Sequence, residues 1–460
     1  MSDNQKVKKS SVFISLKEGL VEKDSMQIYQ FENAKYPYIF KDWQNNNSDE
    51  ETFEVKELYG MSKACFVEDR REDGFNFTQW KGTFTKVADQ LLIHPDLSRR
   101  YGWPVQLTDK SGGIEIGLPL MEFKHKNAQP YVRFVGGAYM EDLAHEEEKT
   151  KLIAELTNGD LRTPQIVETI PLSDVIAKDK NLPLQNEKEE DYKKRVGLPV
   201  DLVFENYSHL GLGQNVRRFR NVWRVMDVEL MLKAYRSADI ETKRIIEEDI
   251  DEVLTTSGRI LSAEFITSFE NSKVLNWFAQ LLGEQAGLLV GNNIIHGALA
   301  GHLQDITLAA EICDFDQTDT VEDAINEYRK DKTALRVKEQ EEYLQIKNFR
   351  QLYLIAGHIG PIFDATKLLY PEDSNTQKDI AELFAQGFFK SISAKPEALI
   401  EVKRRIEKYK DDQDAGTKIL KEIAQAKSGQ TADIDTALIH KFSSQAEFFT
   451  EVTHALNNIF

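Results

Sequence analysis

At 460 residues, with 41% hydrophobic and 29% charged side chains, the chain has the composition of a folded protein with two or three subdomains, and global disorder is excluded. Its net charge of −18 argues against a broad nucleic-acid surface, which needs clustered Lys and Arg, but leaves room for one phosphate pocket served by a few local cations. Cys65 and Cys313 are the only cysteines and no CxxC occurs, so neither a disulfide framework nor a cysteine-rich zinc site is expected.

The first residues lack the apolar core of a signal peptide, and no apolar run approaches the ~20 residues of a membrane helix. The expectation is a cytoplasmic protein with no membrane and no nucleic-acid partner. Short β-like runs at 11–16 and 36–40 precede a polar loop at 44–51. From about Trp103 to Leu172 alternating apolar runs, broken by Gly112, Gly113, Gly136 and Gly137, predict mostly strand. The exception is 142–156, where Leu143, Leu152, Ile153 and Leu156 follow helical spacing.

Residues 177–200 are charge-rich and bracketed by prolines, as in a connector, and after Asp201 the pattern turns helical. Val274, Trp277, Phe278, Leu281, Leu282, Ala286, Leu288 and Leu289 mark one amphipathic face before a turn at His296-Gly297. Residues 321–356 predict one or two charged helices. Further helices follow Pro371, one starting at 393–396 with proline in its first turn, and 428–433 reads as a loop. No internal repeat is visible.

Two blocks carry candidate chemistry. In the first, a glycine-bearing hairpin at 104–113 is followed by a strand with Lys124, an acidic helix with Glu146, Glu147 and Glu148, and a strand leading out at 163–172. A strand lysine can meet phosphate oxygens while a helix carboxylate holds it in place, which makes Lys124 and Glu147 the candidate pair. A solvated strand lysine and a solvated helix face fit the same residues. In the second block, Asp305 and Asp314 flank the apolar run ITLAAEIC, which predicts a tight hairpin returning both carboxylates to one Mg²⁺ or Mn²⁺ ion, with Gln304 and Asp316 in reserve. Aspartates are also common at hairpin ends simply as turn residues. His296 and His302 lack zinc-motif spacing, so His296-Gly297 is read as a turn that packs the loop. No GxSxG elbow supports a serine hydrolase.

The order of these segments resembles the selenoprotein-O family, kinase-like proteins that transfer AMP from ATP to protein hydroxyls. QLTDKSG at 106–112 is similar to a family loop, and Lys124, Pro130, Tyr131, Arg133 and Gly137 keep its K-x5-PY-x-R spacing. Glu147, TPQIVETIPL, YSHLGLG at 207–213 and the block 294–316 follow in family order. The resemblance spans roughly Trp103 to Asp316.

It implies nucleotide contacts from Lys110, Ser111, Lys124, Arg133, Gly136, Gly137, Glu147 and Arg217, and metal binding by Asp305 and Asp314. Gln304 and Asp305 take the catalytic positions, although Gln304 stands where the family has an acidic residue and cannot act as a carboxylate base. Phe204 and Gly211 replace family arginines that grip the nucleotide, and Arg217, Arg218 and Arg220 are the substitutes at hand, unless they cover an exposed basic helix face.

The expected fold is α+β and protein-kinase-like: a β-rich small lobe within 1–176, a mostly helical large lobe at 177–372 and a helical C-terminal extension at 373–460. The expected function is ATP- and metal-dependent nucleotidyl transfer to a protein or small-molecule hydroxyl. The rivals are kinase-like phosphotransfer and a catalytically inactive pseudokinase acting as a binding module.

Overall fold

The structure, a computed structural model, describes residues 55–56, 64–68, 74–81, 119–122, 131–134, 138–172, 212–297, 299, 303, 305–315, 318–330, 334–373, 375–425 and 442–460. The expected runs at 11–16, 36–40, 44–51, 177–200 and 428–433 lie outside them. The fold is α+β, with small antiparallel sheets and a majority of helix. Chain contacts divide it into two units, Met1–Glu148 with Pro164–Val222, and Lys149–Thr163 with Trp223–Phe460. The segment 373–460, expected as a separate extension, falls in the second unit together with 223–372.

The first unit is built on one antiparallel sheet. Strands β1 (Val55–Lys56), β2 (Ala64–Glu68) and β3 (Phe77–Lys81) run in spatial order, while β4 (Pro119–Glu122) and β5 (Tyr131–Phe134) form a separate hairpin. Next come β6 (Ala138–Tyr139), the first turns of helix α1 (Met140–Leu156), β7 (Gln165–Leu172) and β8 (Leu212–Phe219). Strand β8 pairs with β3 along one edge and with β6 and β7 along the other.

Helical patterning was expected beyond Asp201, so β8 is a correction. Its two arginines sit next to each other, and in a strand adjacent side chains point to opposite faces. Arg217 and Arg218 are both buried, one on each face. The sequence alone offered them as nucleotide contacts or as an exposed basic helix face.

The second unit is helical. Helix α2 (Val225–Ser237) leads to α3 (Ile240–Glu264), which is capped by Asp239 accepting from the Thr242 N–H at 2.8 Å. Helix α4 (Val274–Gly291) follows, and buried positions surround it: Leu275, Ala279, Gly283 and Gly287 join the expected face. It is therefore a central helix with several packed sides, not an amphipathic one. After β9 (Ile294–Ile295) and β10 (Asp319–Thr320), the expected charged region resolves into α5 (Val321–Arg329) and α6 (Ala334–Ala356).

Helices α7 (Ile359–Leu369), α8 (Gln377–Ile392), α9 (Pro396–Ile406), α10 (Ala415–Gln425) and α11 (Ala446–Ile459) complete the unit. Thr376 and Asp379 cap α8 reciprocally, and Pro396 opens α9 where its missing N–H costs nothing.

Helices α4 and α8 cross at backbone contact. A Cβ built on Gly283 would lie 2.1 Å from the Phe384 carbonyl oxygen, and one on Gly387 2.1 Å from that of Gln280. Neither neighbour can yield, because both are helix backbone. Gly387→Ala should therefore destabilise the protein by about 1–3 kcal/mol or more through overpacking, seen as a lower urea midpoint.

Candidate functional site

In the first unit the chemistry gathers on one sheet face. Residues directly opposite in an antiparallel pair share a face, and Gln79 opposes Arg217 while Lys81 opposes Asn215. That face meets the first turns of α1, where Leu143 and Glu146 are buried at helical spacing. Glu146 Oε2 accepts from Lys81 Nζ at 2.8 Å and from Arg217 Nη2 at 2.7 Å. Arg217 and Glu146 are each 3% exposed at the side chain and Lys81 is 23% exposed. One buried carboxylate thus holds two strand cations, and only the lysine reaches water.

The expected helix carboxylate was Glu147. The structure places Glu147 one step round the helix, where it takes a hydrogen bond from the Thr169 hydroxyl; that hydroxyl also lies 2.8 Å from Asn215 Oδ1. A one-residue shift on a helix turns a side chain by about 100°, and this decides which of three consecutive glutamates faces the sheet. Arg217, expected as a nucleotide contact or a helix-face cation, is a buried strand residue committed to Glu146.

In the second unit the run between the two aspartates does fold back. Ile306 and Ile312 form an antiparallel bridge, the Ala310 N–H bonds to Thr307 O at 2.9 Å, and the Cys313 N–H bonds to Asp305 O at 2.9 Å. The turn places Ala310 at φ 56°, and Asp314, just past the hairpin, sits at φ 66°. Aspartate tolerates this left-handed region better than most residues. Asp305 is buried and Asp314 partly so.

Three residues that sequence reasoning passed over hold this hairpin. Arg162 donates from Nε to Ala309 O at 2.8 Å at the hairpin tip and grips Glu264 with both terminal nitrogens, at 2.6 and 2.9 Å. Gln285 on α4 accepts from the Arg162 N–H at 2.6 Å. Arg224 adds a third backbone segment by bridging Thr307, so Trp223 and Val225 also bond into the hairpin. A lone arginine outside any motif carries no sequence signal for such a role.

His296 closes the other end. Its Nε2 lies 2.7 Å from the Cys313 carbonyl oxygen, which can only accept, so the ring proton is on Nε2. Its ring packs against Phe315 at 5.0 Å between centroids, its N–H bonds to Gln351, and Gly297 turns the chain at φ 85°.

Arg224 sets the electrostatics. Burial works against its charge, but the neighbouring Cys313, Asp314, Asp305 and Asp227 outweigh that penalty and raise its pKa. Both expected metal-binding carboxylates therefore already act on a buried guanidinium. Among the described residues, no three or more His, Cys, Asp or Glu side chains are grouped so as to hold a metal ion. Two carboxylates alone still suit Mg²⁺, which completes its shell with phosphate and water.

Of the other expected site residues, Lys110, Ser111, Lys124, Gly136, Gly137 and Gln304 lie outside the described residues. Arg133 is placed by its backbone in β5, opposite Leu120. No family model, curated protein or solved structure matches this chain. Among the described residues, no helix is long and apolar enough to cross a membrane.

Two predictions follow from these charges. Glu146→Ala leaves Lys81 and Arg217 without their shared acceptor and should cost about 3–5 kcal/mol in urea unfolding. Lys81→Met, at a partly exposed site, should cost about 1 kcal/mol or less.

Asp227 is fully buried, and burial pushes its carboxyl up to about 8 despite a backbone N–H from Arg224 at 2.7 Å and that residue's charge. A raised folded-state value means folding favours the protonated acid. Its contribution is complete below the ordinary value of 3.8 and is lost as pH rises through about 8. Thermal melts should lose stability across that window, and Asp227→Asn should flatten the slope.

Proposed function

We propose that the chain is an ATP-dependent nucleotidyltransferase on a protein-kinase-like two-lobed fold, moving AMP to the hydroxyl of a protein or small-molecule acceptor. The observation that carries this reading is the Asp305–Asp314 hairpin. Its backbone pairing sets Asp305 opposite Cys313, the residue before Asp314, and both aspartates act on the buried Arg224 cation. Asp305 and Asp314 would hold Mg²⁺ or Mn²⁺, which neutralises phosphate charge when bound.

The strand–helix pair Lys81–Glu146 supports the same reading. It supplies a partly exposed ammonium oriented by a buried carboxylate, the role expected of Lys124 and Glu147. Arg224 adds a fixed guanidinium beside the aspartates, suited to oxygen charge that develops as the α-phosphorus is attacked. In the transfer, the acceptor oxygen bonds to the α-phosphorus, the bond to the bridging oxygen breaks, and pyrophosphate leaves with the electron pair. The acceptor proton passes to a carboxylate or to water.

A second reading, a catalytically inactive binding module, is favoured by one observation. Arg224 already gives Asp305 and Asp314 a buried positive neighbour, so part of their charge is offset without a metal.

Parallel incubations with α-³²P-ATP and γ-³²P-ATP in Mg²⁺ or Mn²⁺ discriminate the readings. Nucleotidyl transfer labels the acceptor from the α position alone, and Asp314→Ala should reduce that label at least 100-fold while the thermal melt is retained. Label from the γ position alone identifies a kinase. Retained ATP binding with no label from either identifies the binding module.

A further inference from the structure

The two strands of the aspartate hairpin are held from different sides. The strand that follows Asp305 is backed by the segment 223–225, where the Val225 N–H bonds to Ile306 O at 3.1 Å and the Leu308 N–H to Trp223 O at 2.8 Å. The strand that leads to Asp314 is held at Ala309 and Ile312 by one residue, Arg162, and at Cys313 by His296.

Arg162 grips with backbone and side chain together. Its carbonyl oxygen accepts the Ile312 N–H at 2.8 Å, and its Nε donates to Ala309 O at 2.8 Å. Ala309 and Ile312 are fully buried, so water does not replace either bond. Anchors outside the hairpin fix Arg162 itself. Gln285 on α4 accepts its N–H at 2.6 Å, and Glu264 at the end of α3 takes both terminal nitrogens. A planar guanidinium supplies that fork and the bond to Ala309 at once, which a lysine ammonium cannot.

The backbone of this strand needs such a tie. Ala310 stands at φ 56° and Asp314 at φ 66°, the left-handed region in which a Cβ crowds the following carbonyl. Conformations of this kind persist where the surroundings over-determine them.

We infer that Arg162 is a positioning residue for the Asp305–Asp314 site: acting through Ala309 and Ile312, it fixes where Asp314 stands. The inference rests on the reading of that hairpin as a metal–phosphate site. The backbone bonds to Gln285 and Ile312 do not involve the side chain, so Arg162→Ala removes only the grip on Ala309 and Glu264. Its effect falls on the hairpin rather than on the whole unit.

The test combines Mn²⁺ binding, read by electron paramagnetic resonance, with amide hydrogen exchange, both on the full chain. Arg162→Ala should bind Mn²⁺ at least tenfold more weakly than wild type. Its Ala310 and Cys313 amides should exchange at least tenfold faster while α4 and α8 keep their protection. Added guanidinium ion at millimolar concentration should recover part of the lost affinity, since the gap opens to solvent beside Glu264, which is 29% exposed. Glu264→Gln, which keeps the arginine, should shift both readouts in the same direction by less. Unchanged exchange at Ala310 and Cys313 in Arg162→Ala, exchange raised equally in α4 and α8, unchanged Mn²⁺ affinity, or no recovery with guanidinium would each overturn the proposal. A wild type that binds no Mn²⁺, or an Asp314→Ala variant that binds it equally well, sinks the metal reading instead, and the exchange measurement then decides for Arg162. Should Arg162→Ala be unfolded, Glu264→Gln decides by the same exchange.

Discussion

Helix α4 can occupy the middle of the helical unit only because two helix backbones touch there. Gly283 and Gly287 on α4 face the Phe384–Phe388 turn of α8, and Gly387 on α8 faces Gln280 on α4. Any side chain at these points would separate the helices and leave voids along a well-packed interface. The position of α4 then governs what surrounds it. Gln285 on this helix holds the Arg162 backbone, Arg162 holds the hairpin tip at Ala309, and the chain leaving α4 turns at His296 to meet Cys313. A packing constraint with no polar chemistry of its own thus positions the polar segment that carries Asp305 and Asp314.

Buried charge is handled differently in the two units. In the first, Glu146 accepts from both Lys81 and Arg217 through a single oxygen, and desolvation of the charged groups is offset in part by short, charge-assisted hydrogen bonds. In the second, Arg224 is surrounded by acidic neighbours, while Asp227 is driven toward its neutral form by burial. The cation remains charged and one acid yields its charge, which limits how many uncompensated ions the interior must hold.

The candidate site was partly legible. The mainly apolar run between two aspartates was enough to predict a hairpin at 305–314, because a short apolar run flanked by turn-forming residues has few other compact solutions. Spacing also located α1, α4 and the helices of 321–356. It could not choose among Glu146, Glu147 and Glu148, since the choice depends on which way the helix lies on the sheet. It also misread 212–219, where paired arginines look solvent-facing until strands pair along both edges of β8 and place one arginine on each face of the sheet.

Composition, charge and periodicity determined what local interactions can determine: an α+β chain, the main helices, the hairpin and the short list of residue types able to hold phosphate or metal. Tertiary structure decided which charges are buried and with whom. Lys81, Arg162 and Arg224 carry no local signal because their partners lie 65 residues away at Glu146, 102 away at Glu264, and, for Arg224, in the hairpin whose Thr307 bridges its backbone. An ion pair's strength depends on distance and local dielectric, and both exist only once the chain has folded.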